Sequence, residues 1–419
     1  MKPINRNRVF LAACISLVVT SMTFAIRAGI LDQLGLQFDL SDTQLGYING
    51  MAFLGFPIAT IVGGLLYNLL GPKKLMMIAF FSHIIGLVMT IYAGGFWTLL
   101  ISTFFIGFAN GSVEAACNPM IADMYTRNRT AMLNRFHVWF PGGIVIGALI
   151  SKFMTDFGMG WQAQIAIMLI PTLIYGFMFF KEPLPESEHM ETDTRLNIKA
   201  LASPLFLFII VCMTLTAISE FGPQQWVERI LGNSGANPML VLAMVTGIMA
   251  LGRYFGGFLV HRLNPIGVLL MSAIVTTAAV YSMSIAEGGM IYAAAILFAL
   301  GVCYFWPTMI GFTSEYMPKT GALGMSLVGG AGMLSTAIWQ PVIGSWLDSA
   351  RQTALDSGMA QEVAELAAGK ATLGKMMFFP LTVAVLFGIL FLFFRKKLEE
   401  RRVPQAHDMA DVLEQTKGS

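Results

Sequence analysis

The sequence predicts an all-α membrane protein, with twelve transmembrane helices arranged as two pseudo-symmetric halves of six. Three observations predict it. The chain of 419 residues is 56% hydrophobic and only 12% charged, where a soluble protein carries about a quarter charged residues. Its apolar residues fall into long segments, each able to cross a bilayer. A Gly…Pro signature also recurs at matching places in the two halves.

The apolar segments lie at approximately 9–33, 43–69, 75–95, 98–124, 136–155, 162–180, 203–230, 238–260, 266–286, 290–313, 321–348 and 373–394. Lys2, Arg6 and Arg8 before an apolar run from Val9 imitate a secretory signal. That run continues past Phe24 to Leu31, too long for a signal core, and so predicts an uncleaved first span. After six segments comes a long hydrophilic insert, KEPLPESEHMETDTR. It divides the chain into a first half (1–180), a cytoplasmic linker (181–200), a second half (201–395) and a cytoplasmic tail (396–419). The segment 350–372 is polar and Ala-rich and predicts a short external helix without chemistry.

Loop charges set the orientation. Lys73, Lys74, Arg127, Arg129, Arg135, Lys181, Arg195, Lys199, Arg262, Lys319 and the run Arg395-Lys396-Lys397 all fall on one side. The opposite loops are nearly free of Lys and Arg until Arg351 and Lys370. Both termini are therefore expected in the cytoplasm, in a multi-pass protein of the plasma (inner) membrane. The repeat is Gly64-Leu-Leu-Tyr-Asn-Leu-Leu-Gly-Pro72 after the second span and Gly257-Phe-Leu-Val-His-Arg-Leu-Asn-Pro265 after the eighth. Duplicated transporters carry repeats of this kind.

Several classes are excluded. Cys14, Cys117, Cys212 and Cys303 sit inside apolar segments without CxxC or Cys/His spacing, so neither disulfide framework nor metal site is implied. No phosphate loop, nucleophile elbow or dinucleotide fingerprint appears. No enzyme, cofactor or nucleic-acid partner is expected. The expected partners are a small solute, a proton and the bilayer, with the protein acting as a monomer.

The chain resembles the major facilitator superfamily at the Gly64…Gly71-Pro72-Lys73-Lys74 loop. There the resemblance implies that Gly64, Asn68, Gly71 and Lys73 form an inner gate. Asn68 stands where the family has Asp, which weakens the charge latch. Further stretches resemble the fucose permease-like branch of sugar–proton symporters: Glu114-Ala-Ala-Cys-Asn-Pro119, Leu133-Asn134 with His137 and Gly142-Gly143, Gly252-Arg253 with Gly256, Trp306-Pro307-Thr308, and Gly329-Gly330 through Asp348. One departure bears on the solute. That branch has an acid in span one, where this chain has Ile26-Arg27-Ala28. An Arg in span one with a Glu in span four also resembles the organic-anion symporters of the superfamily.

Span four carries Asn110, Glu114 and Asn118 at i, i+4 and i+8, a polar stripe on an apolar helix. A carboxylate inside a span costs roughly 2.5–3.5 kcal/mol and faces a cavity or a partner charge. Arg27, on one face of span one with Thr20 and Thr23, is the expected partner. Its guanidinium fork suits a carboxylate or paired hydroxyls, unless it snorkels to the headgroups. Glu114, between burial and that Arg, suits a coupling proton, or else forms a static ion pair. Asn134, His137 and Pro141 share a face of span five beside Trp139, and His137 either relays protons or packs neutral.

In span seven Thr216, Glu220 and Gln224 follow at i+4, and Gly222-Pro223 is expected to break the helix as a gate. Glu220, Gln224 and Gln225 are candidate ligands to the solute, as are Arg27, Asn49, Asn118, His137, Trp139, Trp306 and Gln340. Asp123, Arg127, Glu315, Arg253 and Arg262 read as inner-gate or interfacial charges. The function expected is proton-coupled symport of a small sugar or sugar-derived solute by alternating access. Symport or export of an organic carboxylate such as a sugar acid is the alternative. A sensor that keeps the transporter fold and binds without transport is the reading from another class.

Overall fold

The computed structural model describes residues 4–125, 129–184, 200–255 and 257–399. All regular structure among them is helical. The spans are Arg6–Gly29, a long run Asp42–Ile91 holding the second and third, Phe96–Met124, Arg129–His137 with Trp139–Asp156, and Trp161–Ala166 with Leu169–Lys181. The second half follows with Pro204–Gln225, Pro238–Phe255, Gly257–Ile285, Met290–Val302 with Phe305–Tyr316, Gly321–Asp356, and a last run beginning at Gln361–Met376. Ten spans combine length with high hydropathy. The eighth, Pro238–Phe255, and the eleventh, Gly321–Asp356, complete twelve.

Local chemistry fixes the helix starts. Asn5 caps span one by accepting from the Arg8 amide at 3.2 Å. Ser41 and Gln44 form a reciprocal capping box at the start of span two. Ser203 caps span seven, with Pro204 in its first turn.

The sequence repeat reappears in the backbone. Inside Asp42–Ile91 the helix breaks at Gly71 (φ 71°, ψ 163°), and inside Gly257–Ile285 it breaks at Asn264 (φ 53°, ψ 165°). Each residue precedes a proline, which disfavours the helical region before it, and each takes the positive φ that Gly and Asn tolerate best. The Asn264 Oδ1 then caps the following helix by accepting from the Gly267 amide at 2.9 Å.

Two expectations fail here. Residues 350–372 form no separate external helix: span eleven runs on to Asp356, a turn follows, and span twelve begins at Gln361. An Ala-rich stretch with good helix propensity extends its neighbours. Gly222-Pro223 does not break span seven either, which stays helical to Gln225 and ends at Trp226 (φ −104°, ψ 12°). Pro223, two residues from the helix end, costs only the single intrahelical bond that the Ser219 carbonyl would accept.

The halves meet chiefly where span two packs on span eleven and span five on span eight. The contact is tightest at the end away from the N-terminus. A Cβ at Gly46 would lie 2.5 Å from the Gln340 carbonyl, one at Gly50 2.7 Å from that of Ala337, and one at Gly344 would collide with Asp42. Toward the terminal end the same seam loosens, and a Cβ at Gly330 would lie 3.7 Å from Ile61. The halves form a wedge, closed at the far end.

Candidate functional site

Arg27 stands at the centre of the wedge, 6% exposed. Its Nη2 donates to Gln225 Oε1 of the other half at 2.7 Å, and Gln225 in turn donates to the Phe24 carbonyl at 3.4 Å. The guanidinium carbon sits 5.2 Å from the Phe24 ring centroid and 5.5 Å from that of Phe53, a cation–π arrangement. Phe53 and Phe221 lie 5.5 Å apart, and Phe221 meets Trp306 edge-on at 6.1 Å. Among the described residues no carboxylate pairs with Arg27, and its Nε has no hydrogen-bond partner. The snorkelling reading does not hold, because the side chain points into protein.

The expected Arg27–Glu114 pair is also absent, for a reason of direction. Asn110 Nδ2 donates to Thr23 Oγ1 at 2.9 Å, which fixes the register of span four on span one. The two helices run antiparallel. Four residues onward from Thr23 to Arg27 and from Asn110 to Glu114 therefore lead to opposite ends, about 11 Å apart at 5.4 Å per turn.

Glu114, 9% exposed, instead accepts from Asn118 Nδ2 at 2.6 Å. The Asn118 Oδ1 then faces His137 Nε2 at 3.1 Å. With the amide oriented this way, His137 donates and the chain ends on an exposed imidazole. Asn118 and His137, expected beside the solute, thus belong with Glu114. A second polar chain was not anticipated: Tyr175 Oη to His83 Nδ1 (2.8 Å), His83 Nε2 to Asn110 Oδ1 (2.8 Å), and Asn110 to Thr23. Asn110 and Thr23 already stood out as polar residues within their spans, and a histidine within an apolar segment, His83, is the further sequence signal.

In the second half Glu220 and Arg253, assigned separate roles from the sequence, pair with each other at 3.3 Å. Arg253 Nε also donates to the Cys303 carbonyl at 2.9 Å. Gln224 turns toward Met249 Sδ at 3.7 Å. Trp226 Nε1 donates to Gln340 Oε1 at 2.7 Å, leaving Gln340 Nε2 without a partner. Asn49 is fully buried with both amide atoms unpaired. Trp139 is 42% exposed and outside the aromatic cluster around Arg27.

Among the gate residues, Lys73 Nζ donates to the carbonyls of Phe180 (3.2 Å) and Glu182 (3.3 Å), tying span three to span six within the first half. Nothing lies within 4 Å of a Cβ built at Gly64 or Gly71. Asp123 is half-buried in the last turn of span four. Arg127 and the side chains of Asn68 and Arg262 lie outside the described residues.

The far end holds a lock that the sequence did not suggest. Asp42, fully buried at the start of span two, pairs with Arg229 Nε at 2.6 Å and with Arg351. Arg229 also holds Asp32 at 2.7 Å, and Arg351 pairs with Glu365 at 2.7 Å. Asp348 accepts from the amides of Asp42 (3.0 Å) and Thr43 (2.8 Å) and from Thr43 Oγ1 (2.6 Å). A carboxylate of the second half thus caps a helix N-terminus of the first. Beside it Glu228 is pushed up to about 9, by burial first and then by Asp32, against the opposing pull of Arg229.

Residues 9–340 match the family described as Major Facilitator Superfamily. The chain is 20% identical to the putative niacin/nicotinamide transporter NiaP of Bacillus subtilis, over 76% of this chain and 82% of that protein. It is 24% identical to the cis,cis-muconate transport protein of Acinetobacter baylyi, over 61% of this chain and 66% of that one. In fold it is similar to a bacterial homologue of the human lysosomal transporter Spinster, with a TM-score of 0.77, 17% identity, and coverage of 97% of this chain and 100% of the other.

Proposed function

The chain belongs to the Major Facilitator Superfamily and is a membrane transporter; on that premise we propose that it carries a small organic anion, held by Arg27, together with a proton carried at Glu114. The observation that carries this reading is the buried guanidinium with an unpaired Nε and, among the described residues, no carboxylate paired with it. A cation buried inside a span without a counter-charge is costly. A carboxylate solute supplies that charge through short charge-assisted bonds. Of the two relatives named above, one is named for muconate, a carboxylate, and the other as a putative transporter of niacin, also a carboxylate, or of the neutral nicotinamide. The stretches that resemble the fucose permease-like branch favour a sugar-derived body, and a sugar acid joins both lines.

Glu114 suits the proton because it is buried, forms no ion pair with a cation among the described residues, and is linked through Asn118 to the exposed His137. A carboxyl in that setting gains and loses its proton without disturbing Arg27, and Asn118, which relays no proton itself, holds it toward the exposed imidazole. If the basic loops are cytoplasmic, the locked far end faces outside and the wedge opens inward. Alternating access then requires breaking the lock at Asp42.

The test uses proteoliposomes with nicotinate, muconate and glucuronate as probes, and glucose as the neutral control. Arg27→Gln should lower carboxylate affinity about 100-fold, the scale of a buried charge pair. Glu114→Gln should keep exchange of labelled solute but lose accumulation driven by a proton gradient. Carboxylate binding unchanged in Arg27→Gln would reject the anion reading, and undiminished uphill uptake in Glu114→Gln the proton reading. Ligand binding with no flux in any condition would instead favour a sensor.

A further inference from the structure

Beyond Arg27, two amide side chains in the same region are buried, one wholly and one half unpaired. Asn49 is 0% exposed with neither Nδ2 nor Oδ1 bonded, and Gln340 is 0% exposed with a free Nε2. Such groups ordinarily find partners. Both are placed by the surrounding contacts. Asn49 lies one helical turn from Phe53, the ring under Arg27, and on the same face of span two. The Gln340 Cβ would lie 3.8 Å from a Cβ at Gly50, next to Asn49. Gln340 is held by Trp226, whose neighbour Gln225 holds Arg27. Spans one, two, seven and eleven thus bring one cation and two amides with idle atoms to one aromatic-floored place.

We propose that Asn49 and Gln340 read a hydroxyl on the solute, so that the transported anion is a hydroxylated monocarboxylate. The inference rests on the anion reading above and deepens it. Asn49 offers a donor and an acceptor, and Gln340 a donor, which matches an O–H that gives one bond and takes another. Neither carries charge, and Arg27 is the cation at this place. A second carboxylate here would be buried without compensation, which disfavours a dianion. An unsubstituted ring would satisfy the aromatic floor but leave the amides idle.

The experiment compares four probes on the purified full chain by ligand-induced thermal shift and by titration. They are glucuronate, cyclohexanecarboxylate, cis,cis-muconate and glucose. Glucuronate should bind most tightly. Asn49→Leu and Gln340→Met should each weaken glucuronate about tenfold or more, the scale of one buried hydrogen bond, while leaving cyclohexanecarboxylate within about twofold. Because both Asn49 amide atoms are unpaired, Asn49→Leu should melt no lower than the parent chain, which separates a reading role from a structural one. Gln340→Met also removes the acceptor of Trp226 Nε1, so it is judged by its selective loss of glucuronate over cyclohexanecarboxylate. Arg27→Gln should weaken both monocarboxylates. Equal loss for both in the amide variants, or muconate or cyclohexanecarboxylate binding as tightly as glucuronate, overturns the hydroxyl inference while the anion reading stands. If no carboxylate binds, or if Arg27→Gln leaves carboxylate binding intact, the anion reading itself falls.

Discussion

Asp42→Asn should open the far end. Asp42 belongs to the first half, and both of its cationic partners, Arg229 and Arg351, belong to the second. Every bond it makes to them is lost when the halves part at that end. Two unit charges about 4 Å apart attract by about 4 kcal/mol at an effective dielectric of 20, but desolvation offsets most of that. Removing one partner from a buried pair costs about 3–5 kcal/mol. The low end applies here, because Arg229 keeps Asp32, Arg351 keeps Asp348 and Glu365, and Asn retains a polar oxygen. A bias of about 3 kcal/mol is a factor of about 150 between the closed and open states.

Spin labels at Leu36 and Asn233, both exposed and on opposite halves, would report the change by pulsed electron spectroscopy. The parent chain should give one short distance, and Asp42→Asn a second, longer population. Asp39→Asn removes a nearby charge that forms no ion pair among the described residues and should leave the distribution unchanged. An Asp42→Asn distribution identical to the parent's would refute the claim that this carboxylate holds the end shut. An equal effect from Asp39→Asn would reduce it to general charge.

Asn264→Val should lose a helix cap worth about 1 kcal/mol and strain a positive φ by about as much. Asn264→Gly should recover the strain but not the cap, and melting temperatures in detergent would separate the two. His83→Leu should destabilise by about 2–4 kcal/mol, since it strands both Asn110 Oδ1 and Tyr175 Oη; a melting point unchanged from the parent's would refute the network's importance. Glu228, with its carboxyl raised from 4.5 to about 9, keeps a proton in the packed state that an unpacked chain releases. Stability should therefore fall as pH rises from about 4.5 toward 9, and Glu228→Gln should flatten that slope in melts taken across the range.

Much of the scaffold was legible because it rests on local rules. Span length follows from apolar runs, and the breaks at Gly71 and Asn264 from a proline after a residue tolerant of positive φ. The boundaries that failed had no such local mark. Polar, Ala-rich 350–372 could as readily extend two helices as form one of its own. At Gly222-Pro223 the break moved to Trp226, where the next five residues turn into a separate short helix. Arg27 was legible as a buried cation, but its partner was not. Matching polar stripes on spans one and four invited a pairing that the antiparallel register forbids, and only the Asn110–Thr23 bond shows which residues are level.

The lock was hidden by the same signal that gave the orientation. Basic residues at the far end count against the positive-inside pattern, and Arg351 and Lys370 stood out as exceptions to it. Each of these exceptions proves to be neutralised: Arg351 on Asp42, Asp348 and Glu365, and Lys370 on Glu287. Arg229, which the sequence placed at the end of span seven, rests likewise on Asp32 and Asp42. At the opposite end Lys74 is exposed, and among the described residues no ion pair involves it. An arginine on the sparsely basic side of a membrane protein is therefore best read as half of an ion pair, with the partner acid sought among loops far away in sequence.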